Sequence, residues 1–147
     1  MKNLTNLKTY IIDSDDPHEV DDAISLEINN GNIRKLWVHI SNPCGLFLLD
    51  SPIDKEARER NCSLYLTEQY ISMLPKKIID EANLKQNKIS NTISASINFR
   101  DDGSINKYEI VEAIIKPKYQ LSYDDANEII ELEPKEEYDL IEIKDLL

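Results

Sequence analysis

Between Asp13 and Asp22 the chain reads Asp-Ser-Asp-Asp-Pro-His-Glu-Val-Asp-Asp, directly behind the apolar triplet Tyr10-Ile11-Ile12. Six of these ten side chains are carboxylates. So many anions repel one another, and a fold would keep them close together only if a cation offset the charge. Pro17 lacks an N–H and disfavours helix at the residue before it, so the run reads as a loop or irregular strand extension. A short strand over residues 9–12 leads into it.

The rest of the chain supplies elements to carry this loop. From Ala23 to Ile28 apolar and polar residues alternate, with Ile24, Leu26 and Ile28 on one face and Ser25 and Glu27 on the other. Asn29-Asn30-Gly31-Asn32 is a hairpin turn signal, because Asn and Gly tolerate positive φ, and Ile33 to Ser41 returns as the partner strand. Ser51-Pro52-Ile53-Asp54 followed by Lys-Glu-Ala-Arg-Glu-Arg predicts a helix with Ser51 as N-cap, ended near Asn61. Residues 65–74 read as irregular, and Pro75 opens a short helix through Ala82.

Ile93, Ala95, Ile97 and Phe99 alternate with Ser94, Ser96 and Asn98, and Arg100-Asp101-Asp102-Gly103 turns the chain into a strand from Ile105 to Ile115. Ser122-Tyr123-Asp124-Asp125 predicts another helix start, with a break near Pro134. The expected class is α+β: antiparallel β-hairpins with helices packed between and after them. Residues 1–9 form a lead-in without periodicity, 10–130 the main body, and 131–147 an acidic helical end of the same domain.

Composition narrows the chemistry. Three glycines in 147 residues leave no room for a Gly-rich phosphate loop. Cys44 and Cys62 sit in no zinc spacing, which suits a reducing compartment. The sequence shows no signal peptide and no apolar run of membrane-spanning length, so a cytoplasmic location without membrane contact is expected. The net charge of −11 is concentrated at the end: residues 124–147 hold ten acids against Lys135 and Lys144. The first 123 residues stand at only −3 and remain open to nucleic acid.

Two readings of the acidic loop stay open on composition: a solvated turn, and a magnesium site for phosphoryl transfer. A calcium EF-hand loop fails, since counting from Asp13 puts His18 where Gly is required and Ile24 where Glu is required.

A wider pattern bears on the choice. Ile12-Asp13, Glu19-Val20-Asp21-Asp22-Ala23-Ile24-Ser25, Trp37-Val38-His39-Ile40, Ser51 to Arg58, Ser63-Leu64-Tyr65-Leu66 and Met73-Leu74-Pro75 follow in that order. Together with the turn at Asp101-Asp102-Gly103 and Leu121-Ser122-Tyr123-Asp124, they resemble the opening of the RNB catalytic domain of the ribonuclease II and ribonuclease R exoribonucleases. The Glu-Val-Asp-Asp form and acidic tail are more similar to the cyanobacterial and plastid branch than to the enterobacterial one, which would make the plastid stroma the compartment in a photosynthetic eukaryote.

The resemblance implies a 3′-to-5′ exoribonuclease that hydrolyses single-stranded RNA to nucleoside 5′-monophosphates, with Mg²⁺, or Mn²⁺ in its place. It implies Asp13, Asp21 and Asp22 as metal-binding catalytic residues. It adds Glu19 as a catalytic-site carboxylate, one methylene longer than the Asp usual there, acting through water or through a ligand. Tyr65 and Tyr123 fall on RNA-contacting tyrosines. His39 and Trp37 read as packing residues, Asp15 and Asp16 as bystanders, and Asn42 replaces an acidic residue common in the family. Only the first part of the domain is matched, so this chain alone is expected to be inactive and its uncovered edges to favour self-association. The alternative is a non-catalytic binding or interaction module with the same fold.

Overall fold

A computed structural model describes residues 1–29, 33–100, 102–134 and 138–146. It divides into two units, Met1–Ser41 with Leu84–Leu147, and Asn42–Asn83.

The first unit is built on one sheet. Its strands are β1 (Lys2–Asn3), β2 (Thr9–Asp13), β3 (Asp22–Asn29) and β4 (Ile33–Ser41). Beyond the second unit, whose short strands are β5 (Leu64–Tyr65) and β6 (Tyr70–Ile71), come β7 (Ser90–Phe99), β8 (Ile105–Ile115) and β9 (Tyr119–Ser122). The strand order is β1-β8-β7-β4-β3-β2-β9. Both expected hairpins, β3/β4 and β7/β8, are present, and β4 pairs antiparallel with β7 to join them. The α+β expectation holds. The turn expected at 30–32 and Asp101 lie outside the described residues; the second turn closes through Arg100 N–H to the Ser104 carbonyl at 2.8 Å, with Gly103 at φ 80°.

Two pairings were not legible in the sequence. β1 pairs parallel with β8, and β9 parallel with β2. The opening residues, expected as a lead-in, therefore belong to the sheet and drive Leu4 into the core at 4% exposure. Two or four residues carry too little periodicity to read as strands, and their partners lie more than a hundred positions away.

Each sheet face is covered differently. On one, Tyr10, Leu26 and Leu36 pack with Leu140 and Ile143 of α4 (Tyr138–Leu146) and with Ile129 and Ile130 of α3 (Tyr123–Leu132). On the other, Ile11, Ala23, Trp37, Ala113 and Ile115 pack against Leu4, Val20 and Leu84. That second face carries a polar row: Ser25, His39, Ser90, Thr92, Ser94 and Ser96 are buried, whereas Ile93 is 38% exposed. The alternation in β7 marks a strand, yet its hydroxyl side faces inward. Hydrogen bonding makes this tolerable for Ser25, His39, Thr92 and Ser94, whereas the buried Ser90 Oγ finds no partner among the described residues. Ser25 Oγ lies 2.9 Å from His39 Nε2, Ser94 Oγ 2.8 Å from His39 Nδ1, and Thr92 Oγ1 2.8 Å from Ser94 Oγ.

In the second unit α1 (Pro52–Arg60) is capped as expected, Ser51 Oγ accepting from Asp54 N–H at 3.3 Å, and it ends at Asn61 with φ 66°. α2 (Lys76–Ala82) follows Pro75, and Ala57, Leu74 and Ile79 form a small core. Residues 65–74, expected as irregular, include a two-residue ladder between β5 (Leu64–Tyr65) and β6 (Tyr70–Ile71).

Candidate active site

β2 ends at Asp13 and β3 begins at Asp22, so the sheet itself sets the span that the acidic loop must bridge. The return leg is anchored by the backbone: Val20 is buried and its carbonyl accepts from Leu84 N–H at 2.8 Å. The Asp21 carbonyl accepts from Ser41 N–H at 2.7 Å. At the start, Ser14 N–H donates to the Asp13 carboxylate at 2.7 Å. Pairing of Thr9 with Ser25 and Tyr10 with Ile24 directs the two strands toward the Asp13 and Asp22 ends together.

The electrostatics report the same convergence. Partial burial, then the charge of Asp21, then that of Asp13 hold the Asp22 carboxyl above the usual carboxylate range. Asp22 thus feels two of the other three expected catalytic carboxylates. Glu19 is half-buried within the loop.

β9 completes the surroundings. Asp13 is the register partner of Ser122, and an open groove of about 330 Å³ at this end is lined by Asp13, Asp15, Gln86, Gln120, Ser122 and Asp125 among others. Ser122 caps α3 in a reciprocal pair, its Oγ accepting from Asp125 N–H at 3.1 Å while the Asp125 carboxylate accepts from Ser122 N–H at 3.0 Å. These bonds hold the Asp125 carboxyl below the usual range, keeping it an anion. Asp15, read as a bystander, lines this groove, and so does Asp125, read only as a helix-start acid. Both depend on the β2–β9 pairing, for which the sequence carries no signal.

Tyr123 follows Ser122 at the first position of α3 and is 58% exposed. Tyr65 belongs to the second unit, where its ring is 64% exposed and 5.1 Å from that of Tyr70. His39 and Trp37 are fully buried, as expected of packing residues.

Among the described residues no three His, Cys, Asp or Glu side chains are arranged to hold a metal ion by themselves. The donor chemistry nevertheless fits a hard divalent cation. Magnesium is usually held by one or two carboxylates, with water and substrate phosphate oxygens completing its shell, and a carboxyl raised by like-charged neighbours is one that a cation would relieve.

A profile of the RNB domain matches residues 1–147, the whole chain. The chain belongs to the RNB-domain family. It is 38% identical over 140 residues to the chloroplastic/mitochondrial ribonuclease II of Arabidopsis thaliana, covering 94% of this chain and 17% of that protein. Its fold matches Mycoplasma genitalium RNase R, with a TM-score of 0.81 and 25% identity to the apo form over 90% of this chain and 21% of that one. The same enzyme has been solved in complex with ribose-methylated single-stranded RNA. Yeast Ssd1, described as a pseudonuclease, has the same fold, with a TM-score of 0.77 at 21% identity over 88% of this chain and 16% of that one. The chain spans about a fifth of the length of the proteins it matches. No helix among the described residues is long and apolar enough to cross a membrane.

Proposed function

We propose that this RNB chain is part of a 3′-to-5′ exoribonuclease that hydrolyses single-stranded RNA to nucleoside 5′-monophosphates. The observation that carries the reading is the placement of Asp13 at the end of β2 and of Asp21 and Asp22 at the start of its partner β3, where burial first, and then the charges of Asp21 and Asp13, raise the Asp22 carboxyl. Asp13, Asp21 and Asp22 would hold Mg²⁺, or Mn²⁺ in its place. When bound, the ion would supply orientation of an attacking water and compensation of the charge developing on the scissile phosphate.

The chain's own residues supply the rest. Tyr123, next in sequence to the groove-lining Ser122, would offer an exposed aromatic face, and stacking on such a face is tolerant of sequence because every base has a π-surface. Tyr65 offers a second ring. Asp15 and Asp125 add negative charge that draws cations and repels bare phosphate, so a nucleic acid would dock here only with a cation present. Glu19 would act through water or through a ligand. The 147-residue chain by itself would be inactive, because members of a catalytic constellation act as a unit. The compartment in this reading is the cytoplasm, or the plastid stroma in a photosynthetic eukaryote. Self-association would run through the edge of β8, of which only Ala113 and Ile114 pair with β1.

The test uses the longer protein that contains this chain: Asp21→Asn should abolish stepwise release of mononucleotides from 5′-labelled single-stranded RNA while leaving RNA binding largely intact. Unchanged turnover would remove the assigned role. A second reading, a non-catalytic RNB-like binding module, is favoured by the shared fold of the pseudonuclease Ssd1 and by the lack of a ready three-ligand set among the described residues. Metal-independent RNA binding without any mononucleotide release by the longer wild-type protein would select it.

A further inference from the structure

The acidic groove has a counterpart of opposite sign on the segments that lead into β2 and β9. At the other end of β2 and β9 an open groove of about 340 Å³ is lined by Lys8, Lys116 and Lys118 with Thr5, Asn6 and Asn87. In a chain of net charge −11, a groove whose only charged lining groups are three ammonium ions stands apart. Its frame is fixed by backbone bonds: Lys118 N–H donates to the Thr9 carbonyl at 2.8 Å and Asn87 N–H to the Pro117 carbonyl at 2.8 Å. Lys8 is shared with Asp139, 3.9 Å away, so Lys116 and Lys118, both exposed, are the principal anion-facing groups. The Lys118 ammonium lies 5.1 Å from the Tyr119 ring centre, which limits its wandering.

Neighbouring residues flank the two grooves. Gln86 lines the acidic one and Asn87 the basic one, and the Gln86 side-chain amide donates to the Lys118 carbonyl at 2.8 Å. Along β9 the side chains of Tyr119 and Leu121 go to the core with the helices. Gln120 and Ser122, alternate residues of β9, line the acidic groove, and Lys118, directly before the strand, lines the basic one, so the lysines and the acidic groove lie at the two ends of one short strand. From Lys118 to Ser122 is four residues, about 13 Å at the rise of a strand.

We propose that this stretch is a track for the sugar–phosphate backbone of single-stranded RNA, with an upstream phosphate held by Lys116 and Lys118 and the downstream end delivered to Asp13 and Tyr123. The inference rests on the RNA reading above and goes beyond it by assigning a phosphate subsite on the edge of the sheet. Its physical logic is charge division: the hydrolytic end must be acidic to hold cations and so repels the polyanion, while lysines one strand-length away supply the attraction.

The test is fluorescence anisotropy of a 5′-fluorescein-labelled oligouridylate titrated with the 147-residue chain over a range of salt. Lys116→Gln with Lys118→Gln should weaken binding about tenfold at low salt and lower the slope of log K against log salt by about 1.4, two single-strand phosphate contacts. Lys76→Gln with Lys77→Gln, on α2, removes the same charge elsewhere and should change neither. Equal losses from both pairs, or none from the first, would overturn the track while leaving RNA binding by the wild type intact. Binding of inorganic phosphate, seen by ³¹P line broadening that Lys116→Gln/Lys118→Gln abolishes, with no RNA bound, would make the groove a free-phosphate site and also overturn it. Absence of any RNA binding by the wild-type chain overturns it as well. Hydrolysis is judged separately, by mononucleotide release from the longer protein.

Discussion

His39 gives the fold a pH limit that can be worked out in advance. The imidazole is fully buried, and that burial pushes its pKa down from 6.5 to about 4. In neutral form its two nitrogens suit the two serines beside them, one donating and one accepting. Protonation would place a cation in the core. Because the folded value lies below the unfolded one, the stabilisation is fully present above pH 6.5 and is lost as pH falls toward 4. At ~1.36 kcal/mol per pH unit, the separation from 6.5 to about 4 amounts to about 3 kcal/mol, with about 2.5 kcal/mol of it gone between roughly pH 7 and pH 4.5. Trp37 is the chain's single tryptophan and lies in the same buried face, 6.2 Å from the His39 ring, so urea unfolding followed by its fluorescence reads this unit directly.

The comparison is wild type against His39→Gln, whose amide can donate and accept without titrating. Asp22 works in the opposite direction in this window, its protonation on acidification relieving repulsion, and Asp54, Asp102 and Asp125, all held below the usual range, lose their contributions only below about pH 3.8. These contributions are common to both proteins and cancel in the difference. If the two lose stability in parallel between pH 7 and 4.5, the reasoning is wrong. Should His39→Gln fail to fold, the wild-type ring resonance decides: it should not titrate between pH 8 and about 5.

In the absence of metal, Asp22→Asn should raise the thermal midpoint at neutral pH, by a few tenths to about 1 kcal/mol after solvent screening, and should shrink the further rise produced by Mg²⁺. A lower midpoint in chelator would show that Asp22 is not under like-charge strain. Ser122→Ala removes the α3 cap and should cost about 1 kcal/mol in urea unfolding, because the Asp125 N–H loses its acceptor; an unchanged urea midpoint would contradict the assigned cap.

Local chemistry was legible and long-range pairing was not. Ser51 and Ser122 announce their helices because a cap needs only its own side chain and the next turn. β3, β4, β7 and β8 announce themselves by alternation, but alternation does not say which side is buried: in β7 Ser94 and Thr92 are inside because His39 and each other's hydroxyls satisfy them. β1 and β9 left no trace, since the partner, not the segment, makes each a strand. The candidate site divides the same way. Asp13, Asp21 and Asp22 could be read from adjacent sequence and from the family pattern, whereas Asp15, Asp125, Gln86 and Gln120 enter only through the union of β2 with β9.

That union also orders events in time. The hairpins β3/β4 and β7/β8 join neighbours in sequence, while Tyr10 must wait for Tyr119 and Lys2 for Ala113. Closing so long a loop carries its entropy cost before any contact repays it, so the two parallel pairings belong to the late part of folding. During synthesis the acidic loop is exposed long before β9 leaves the ribosome. The groove lined by Gln120 and Ser122 comes into being only when β9 docks on β2, whereas Asp13 and Asp22 are brought to one end of the sheet by the sequence-local pairing of β2 with β3.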